Sequence, residues 1–110
     1  MNAPAIRIHV ADDKIFCTPN GGNGRFQQRT VLEWPDANFT LQFFTYDSNK
    51  MTPAWPFDPE SPPPTKGTNG VATPYIGMLK KVAPGDQPPS YAYSISQGSM
   101  KLDPIIIVDR

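Results

Sequence analysis

One cysteine, one histidine and a formal net charge of zero leave this 110-residue chain short of the groups from which most recognisable sites are made. With Cys17 alone no intramolecular disulfide can form, so packing must supply the stability, and a reducing compartment fits. Acidic and basic side chains number 10 each, which withholds the electrostatic footprint of a protein that neutralises several phosphates; nucleic acid is therefore not an expected partner. No run approaches the ~20 apolar residues that cross a bilayer, so no membrane partner is expected either. The opening Met1-Asn2-Ala3-Pro4-Ala5-Ile6-Arg7 has no basic region followed by an apolar core. The chain reads as a soluble, cytoplasmic protein, a leader already removed being invisible to this reading.

The same scarcity constrains chemistry. A Ser-His-Asp apparatus needs His9 as its base, and no serine stands in a Gly-x-Ser-x-Gly elbow. A structural zinc site takes about four Cys or His ligands, more than this chain has in total. His9 is expected as an outward strand residue and Cys17 as a small, semi-buried hydrophobe. The carboxylates stand mostly beside turns, where Asp accepts backbone hydrogen bonds. Gly21 to Gly24 lacks the Lys-Ser/Thr of a phosphate loop and opens no helix. No catalytic residue, metal site or cofactor is expected.

What the chain does have is 14 prolines and 8 glycines, spread so evenly that no clean amphipathic helix fits between them. Alternating or β-branched runs recur instead: Ile6 to Val10, Ile15 to Thr18, Arg25 to Gln28, Thr30 to Trp34, Phe39 to Tyr46, Tyr75 to Val82, Tyr91 to Ser96 and Ile105 to Asp109. Turns separate them. Ala11-Asp12-Asp13-Lys14 joins two strands, Asn20 to Gly24 supplies residues that tolerate positive φ for a hairpin loop, Pro35-Asp36-Ala37-Asn38 opens with proline, and Ala83-Pro84-Gly85-Asp86 has the centre of a type II turn. The pattern predicts one all-β domain over 1–110, an antiparallel Greek-key β-sandwich of about seven or eight strands. Its expected core is Ile6, Ile8, Val10, Phe16, Leu32, Trp34, Phe39, Leu41, Phe43, Tyr93, Ile105 and Ile107. Ile105-Ile106-Ile107-Val108, apolar on both faces, belongs in a central or doubly covered position.

Residues 49–73 read as one long Pro/Gly-rich loop. Within it Pro53, Pro56, Pro59 and Pro62 recur every third residue, the period of a polyproline II helix, and Pro63 and Pro64 extend the run. Two readings stand side by side. The strip docks in an aromatic groove or borders a ligand with Trp55 and Phe57, or those two rings fold back and cap one end of the sandwich, since leaving them in water costs ~1.5 to 3 kcal/mol each.

Two pieces of the chain resemble one family. Thr30-Val31-Leu32-Glu33-Trp34, Pro35 to Asn38 and Phe39-Thr40-Leu41-Gln42-Phe43, with the closing hairpin Tyr91 to Ser96 and Leu102 to Val108, look like cupredoxin-like β-sandwiches, a Greek-key family with copper and copper-free members. Type 1 copper takes two His, a Cys and usually an axial Met, most of them near the final hairpin. Here Gln97-Gly98-Ser99-Met100-Lys101 keeps Met100 alone. The resemblance therefore implies a copper-free member, a fold whose metal site was lost or never built. The residues themselves point to a non-catalytic binding or protein-interaction module whose recognition surface is the long loop, with Tyr46, Trp55 and Phe57 as candidate binding residues; its target is a protein partner or, since edge strands and a neutral surface set little repulsion between copies, a second copy. The alternative is a small enzyme or ligand carrier with a pocket at the end of the sandwich. A third reading places a metal on His9, Cys17 and Asp12 or Asp13.

Overall fold

A computed structural model describes residues 4–47, 50–58 and 71–110, and of Tyr46 and Asp47 the backbone alone. Eleven strands carry the fold: β1 (Arg7–Ala11), β2 (Lys14–Thr18), β3 (Gly24–Gln27), β4 (Val31–Trp34), β5 (Thr40–Asp47), β6 (Lys50–Pro53), β7 (Val71–Ala72), β8 (Tyr75–Met78), β9 (Ser90–Gln97), β10 (Met100–Leu102) and β11 (Ile105–Asp109). The described residues form no α-helix, only a 3₁₀ turn at Asn20–Gly22, and none of their helices is long and apolar enough to cross a membrane.

The largest sheet runs β3-β11-β9-β5-β6, with β10 on β9 and β7 on β5. Its ladders are antiparallel except β3 on β11, which is parallel. A second sheet pairs β4 with β8 and is widened by two single bridges, Ala5 to Glu33 and Phe57 to Leu79. The hairpin β1-β2 stands apart as a third. Each of the eight runs read as strands contains a strand, but Tyr75 to Val82 is corrected: β8 ends at Met78, Leu79 makes a single bridge, and residues 80–82 already belong to the loop that follows. Residues 49–73 are not one uninterrupted loop, since β6, the bridge at Phe57 and β7 lie in that stretch. These short pieces escaped notice because Pro, Thr and Lys weaken the alternation by which strands are read.

Turn chemistry places several strand ends. Asp12 and Asp13 both take positive φ (53° and 59°), as a two-residue type I′ turn requires, and Asp tolerates that region. Asp86 N–H bonds Ala83 O at 3.1 Å across Pro84-Gly85, with Gly85 at φ 91° as a type II turn demands. Asn20 to Gly24 is not a hairpin loop. It carries the chain from β2 to β3, and β3 pairs with β11, 82 residues on at Gly24 and Ile106.

The seven-stranded sheet and the β4-β8 sheet meet through rings. Trp34 on β4 contacts Phe43 on β5 and Tyr93 on β9, with centroids 5.9 and 5.6 Å apart, and Phe57 at 5.9 Å. Such edge and offset contacts are worth about 0.5–1.5 kcal/mol each beyond the area they bury. Leu32, Leu41, Leu79, Ile95 and Ile106 fill the space around them, all wholly buried. The expected core holds at Ile6, Ile8, Leu32, Trp34, Phe39, Leu41, Phe43 and Tyr93. It is corrected at four positions. Val10 and Phe16 are each 43% exposed and Ile105 is 48% exposed, while Ile107 is half-buried; the inner places belong to Ile15, Cys17, Ile106 and Val108. In β2 the polar Lys14 and Thr18 share a face with Phe16, so strand alternation turns that ring outward. Val10 shares the inner face but lies beside the Asp12-Asp13 turn, at the tip of its hairpin, where it is left exposed. β11 is central, between β3 and β9, as an apolar run should be.

Buried polar groups are largely satisfied. Tyr93 Oη donates to Gly22 O at 2.5 Å, Thr73 Oγ1 accepts from Phe39 N–H and donates to Phe39 O, and Ser94 Oγ donates to Asp103 Oδ1. Trp34 Nε1 and Tyr75 Oη lie buried with no partner among the described residues.

Candidate functional site

The three aromatic residues proposed for binding part company. Phe57 is wholly buried, held by the backbone bridge to Leu79 and wedged against Trp34, Phe43 and Tyr75. Trp55 is half-buried over the same rings, 5.2 Å from Phe57 and 5.9 Å from Phe43. The rings therefore turn inward, the second of the two alternatives the sequence offers. Tyr46 sits on β5 opposite Met51 of β6, and its side chain lies outside the description. Pro53 ends β6 and Pro56 is buried, so the threefold proline spacing does not form one exposed edge there. Pro59, Pro62, Pro63 and Pro64 lie outside the described residues.

His9 and Cys17 occupy opposite faces of one hairpin. His9 faces outward and stacks on Phe16 at 5.7 Å, whereas Cys17 faces the core, where burial pushes its thiol up to about 11. Alternation on adjacent strands thus keeps imidazole and thiol from converging. Asp12 and Asp13 are exposed at the tip of the same hairpin. Among the described residues no three His, Cys, Asp or Glu side chains gather as metal ligands would. Met100 is half-buried at the start of β10 and lines, with Phe16, Ile15 and Leu102, a hollow of about 430 Å³ between β2 and β10.

The more developed concavity is made by the segment after β8. Residues 80–89 cannot continue the strand, because Pro84, Pro88 and Pro89 lack amide hydrogens, so the chain crosses the end of the large sheet as a loop. It is pinned at three points. Lys80 N–H bonds Pro56 O at 2.9 Å, Val82 N–H bonds Gln28 Oε1 at 2.7 Å, and Val108 N–H bonds Pro89 O at 2.9 Å. Two hollows, of about 560 and 380 Å³, adjoin along Lys81 and Val82. The floor is apolar, from Val82, Pro84, Pro88, Pro89, Val108 and Tyr91. Burial raises the Tyr91 phenol above its usual range, and its hydroxyl has no partner among the described residues.

Charge around the groove is one-sided. Its rim carries Lys80, Lys81 and Arg110, none ion-paired among the described residues, against Asp86. Asp109 is taken by Arg25, whose guanidinium grips it at 2.6 and 3.1 Å and holds the carboxyl below its ordinary range. Elsewhere Arg7 is paired with Asp36 at 2.8 Å, Arg29 with Asp58 at 2.8 Å and Lys101 loosely with Asp103 at 3.8 Å, while Lys14 and Lys50 stand singly, without an ion pair among the described residues. Sequence reasoning missed the groove because it carried the strand from Tyr75 through Lys80 and Lys81 to Val82 and left only a tight Pro-Gly turn after it; only the return of β9 and β11 beneath the segment supplies a floor. Set against known proteins, the chain matches no protein-family model, no curated protein and no solved structure.

Proposed function

We propose that the chain is a non-catalytic binding module on a Greek-key β-sandwich, with its recognition surface in the groove of residues 80–89. Two features support the architecture. The order β11-β9-β5-β6 opposite β4-β8 follows the G-F-C-C′ and B-E strands of immunoglobulin-like sandwiches, and the resemblance to copper-free cupredoxin-like domains points to the same class. The observation that carries the function is the apolar floor under the unpaired ammonium and guanidinium groups of Lys80, Lys81 and Arg110. Such a rim attracts carboxylates, and the prolines keep the site preformed, which lowers the ordering cost of binding.

An acidic segment of a protein is the occupant this surface favours. The rival, a small-ligand carrier or small enzyme, uses the same place, because hollows of about 560 and 380 Å³ fall within the usual range for small-molecule sites. A ¹⁵N titration separates them, with an acidic Glu/Pro hexapeptide, a Lys/Pro hexapeptide and citrate as probes. Saturable shifts at Lys81, Val82, Tyr91 and Val108 are expected with the acidic peptide alone. Equal response to both peptides, or saturation by citrate only, overturns the reading.

A further inference from the structure

The groove has a counterpart on the same molecule. β9 runs from Ser90, beside Tyr91 and Pro89 in the groove, to Gln97, where the turn at Gly98-Ser99 lies close to the β1-β2 tip; Asp13 and Lys14 line one hollow with Ser99, Met100 and Lys101. An eight-residue strand spans about 26 Å, so groove and tip occupy opposite ends of the molecule. The tip presents Asp12 and Asp13, exposed and without ion-pair partners among the described residues, beside the exposed apolar Val10. Lys14 follows, but strand alternation turns it to the outer face with Phe16 and His9. A neutral chain thus carries a cationic, apolar-floored groove at one end and an acidic tip with an apolar shoulder at the other.

We propose that the occupant of the groove is the Asp12–Asp13 hairpin tip of a second copy, giving head-to-tail association; this rests on the groove being a binding site. The carboxylates of Asp12 and Asp13 meet Lys80, Lys81 and Arg110, and Val10 reaches the floor of Val82 and Pro89. Because the two surfaces differ, each copy keeps one of each free, and growth is open-ended unless a ring closes. A hairpin tip is a small contact, so association is weak and sensitive to salt.

Sedimentation velocity across a concentration series tests this. At about 0.05 M salt the average mass is expected to rise with concentration without levelling at a dimer, and to return to monomer at about 0.5 M, where charges are screened within a few ångströms. Asp12→Asn/Asp13→Asn, which keeps residues that accept positive φ, and Lys80→Glu/Lys81→Glu each weaken association by about tenfold or more. Mixing Lys80→Glu/Lys81→Glu with Asp12→Lys/Asp13→Lys restores it, because every tip then faces a groove of opposite sign. A wild-type chain that stays monomeric throughout, or variants that associate as wild type does, overturns the proposal. If the acidic hexapeptide still binds while wild type remains monomeric, the groove stands and the second copy is excluded; if neither is seen, both fall.

Discussion

At the scale of single residues, close approaches decide what the chain tolerates. Gly22 has φ 87°, and a Cβ there would lie 2.9 Å from Tyr93 Oη and 3.0 Å from Pro104 Cγ. Gly22→Ala therefore combines backbone strain with overpacking and is expected to cost about 2–4 kcal/mol in urea denaturation. An unchanged midpoint would disprove the close packing. Phe57→Ala removes a wholly buried ring and should cost about 3–5 kcal/mol, more than Trp55→Ala at the half-buried neighbour. The reverse order would return Phe57 to the surface. Cys17, with its thiol pushed up by burial, should react with a thiol reagent at neutral pH only on unfolding.

Asp36 gives a pH dependence with a definite sign. Its carboxylate takes the Arg7 guanidinium at 2.8 and 2.9 Å and the Ile8 N–H at 2.7 Å. The hydrogen bond from Arg7 leads in holding it below the ordinary carboxylate value. A lowered folded-state value adds stability that is present above about pH 4 and is lost as pH falls through the folded-state value. Asp36→Asn should flatten the acid limb of a melting-temperature profile while leaving its shape from pH 6 to 8 unchanged. An acid limb as steep as wild type would assign the dependence elsewhere.

At the scale of elements, β11 shows what was legible in the sequence and what was not. Its existence and central place follow from four consecutive apolar residues. Its inward face does not, because Ile105-Ile106-Ile107-Val108 has no polar residue to mark parity, and pairing of Ile106 with the buried Tyr91 settles it. Ile106→Ala should cost about 2–5 kcal/mol and Ile105→Ala much less; equal losses would contradict the register. In β2 the information was present, since Lys14 and Thr18 mark the outer face, but hydrophobicity alone favoured Phe16. The turns at Asp12-Asp13 and Pro84-Gly85 were readable because positive φ and proline are local requirements. The groove was not, because its floor comes from strands distant in sequence.

At the scale of the whole molecule, the ring cluster welds the β4-β8 sheet to the seven-stranded sheet, since Trp34 reaches Phe43 and Tyr93, and Phe57 reaches Phe43, across the core. Both tryptophans belong to that cluster, so fluorescence should report loss of contact between sheets and far-UV circular dichroism loss of the strands. Coincident denaturation curves are expected for one cooperative unit, whereas separated midpoints would show sheets that unfold independently.

The strand order also bears on how the molecule comes to be made. Among the described strands β3 has one ladder neighbour, β11, which emerges during synthesis only after some eighty further residues. Until Ile105–Asp109 has left the ribosome, the nascent chain cannot close its principal sheet, and β9 must wait with one flank bare. Assembly is thereby deferred until that distant strand has been made, which favours slow folding and makes a polypeptide cut short before it a natural client for chaperones.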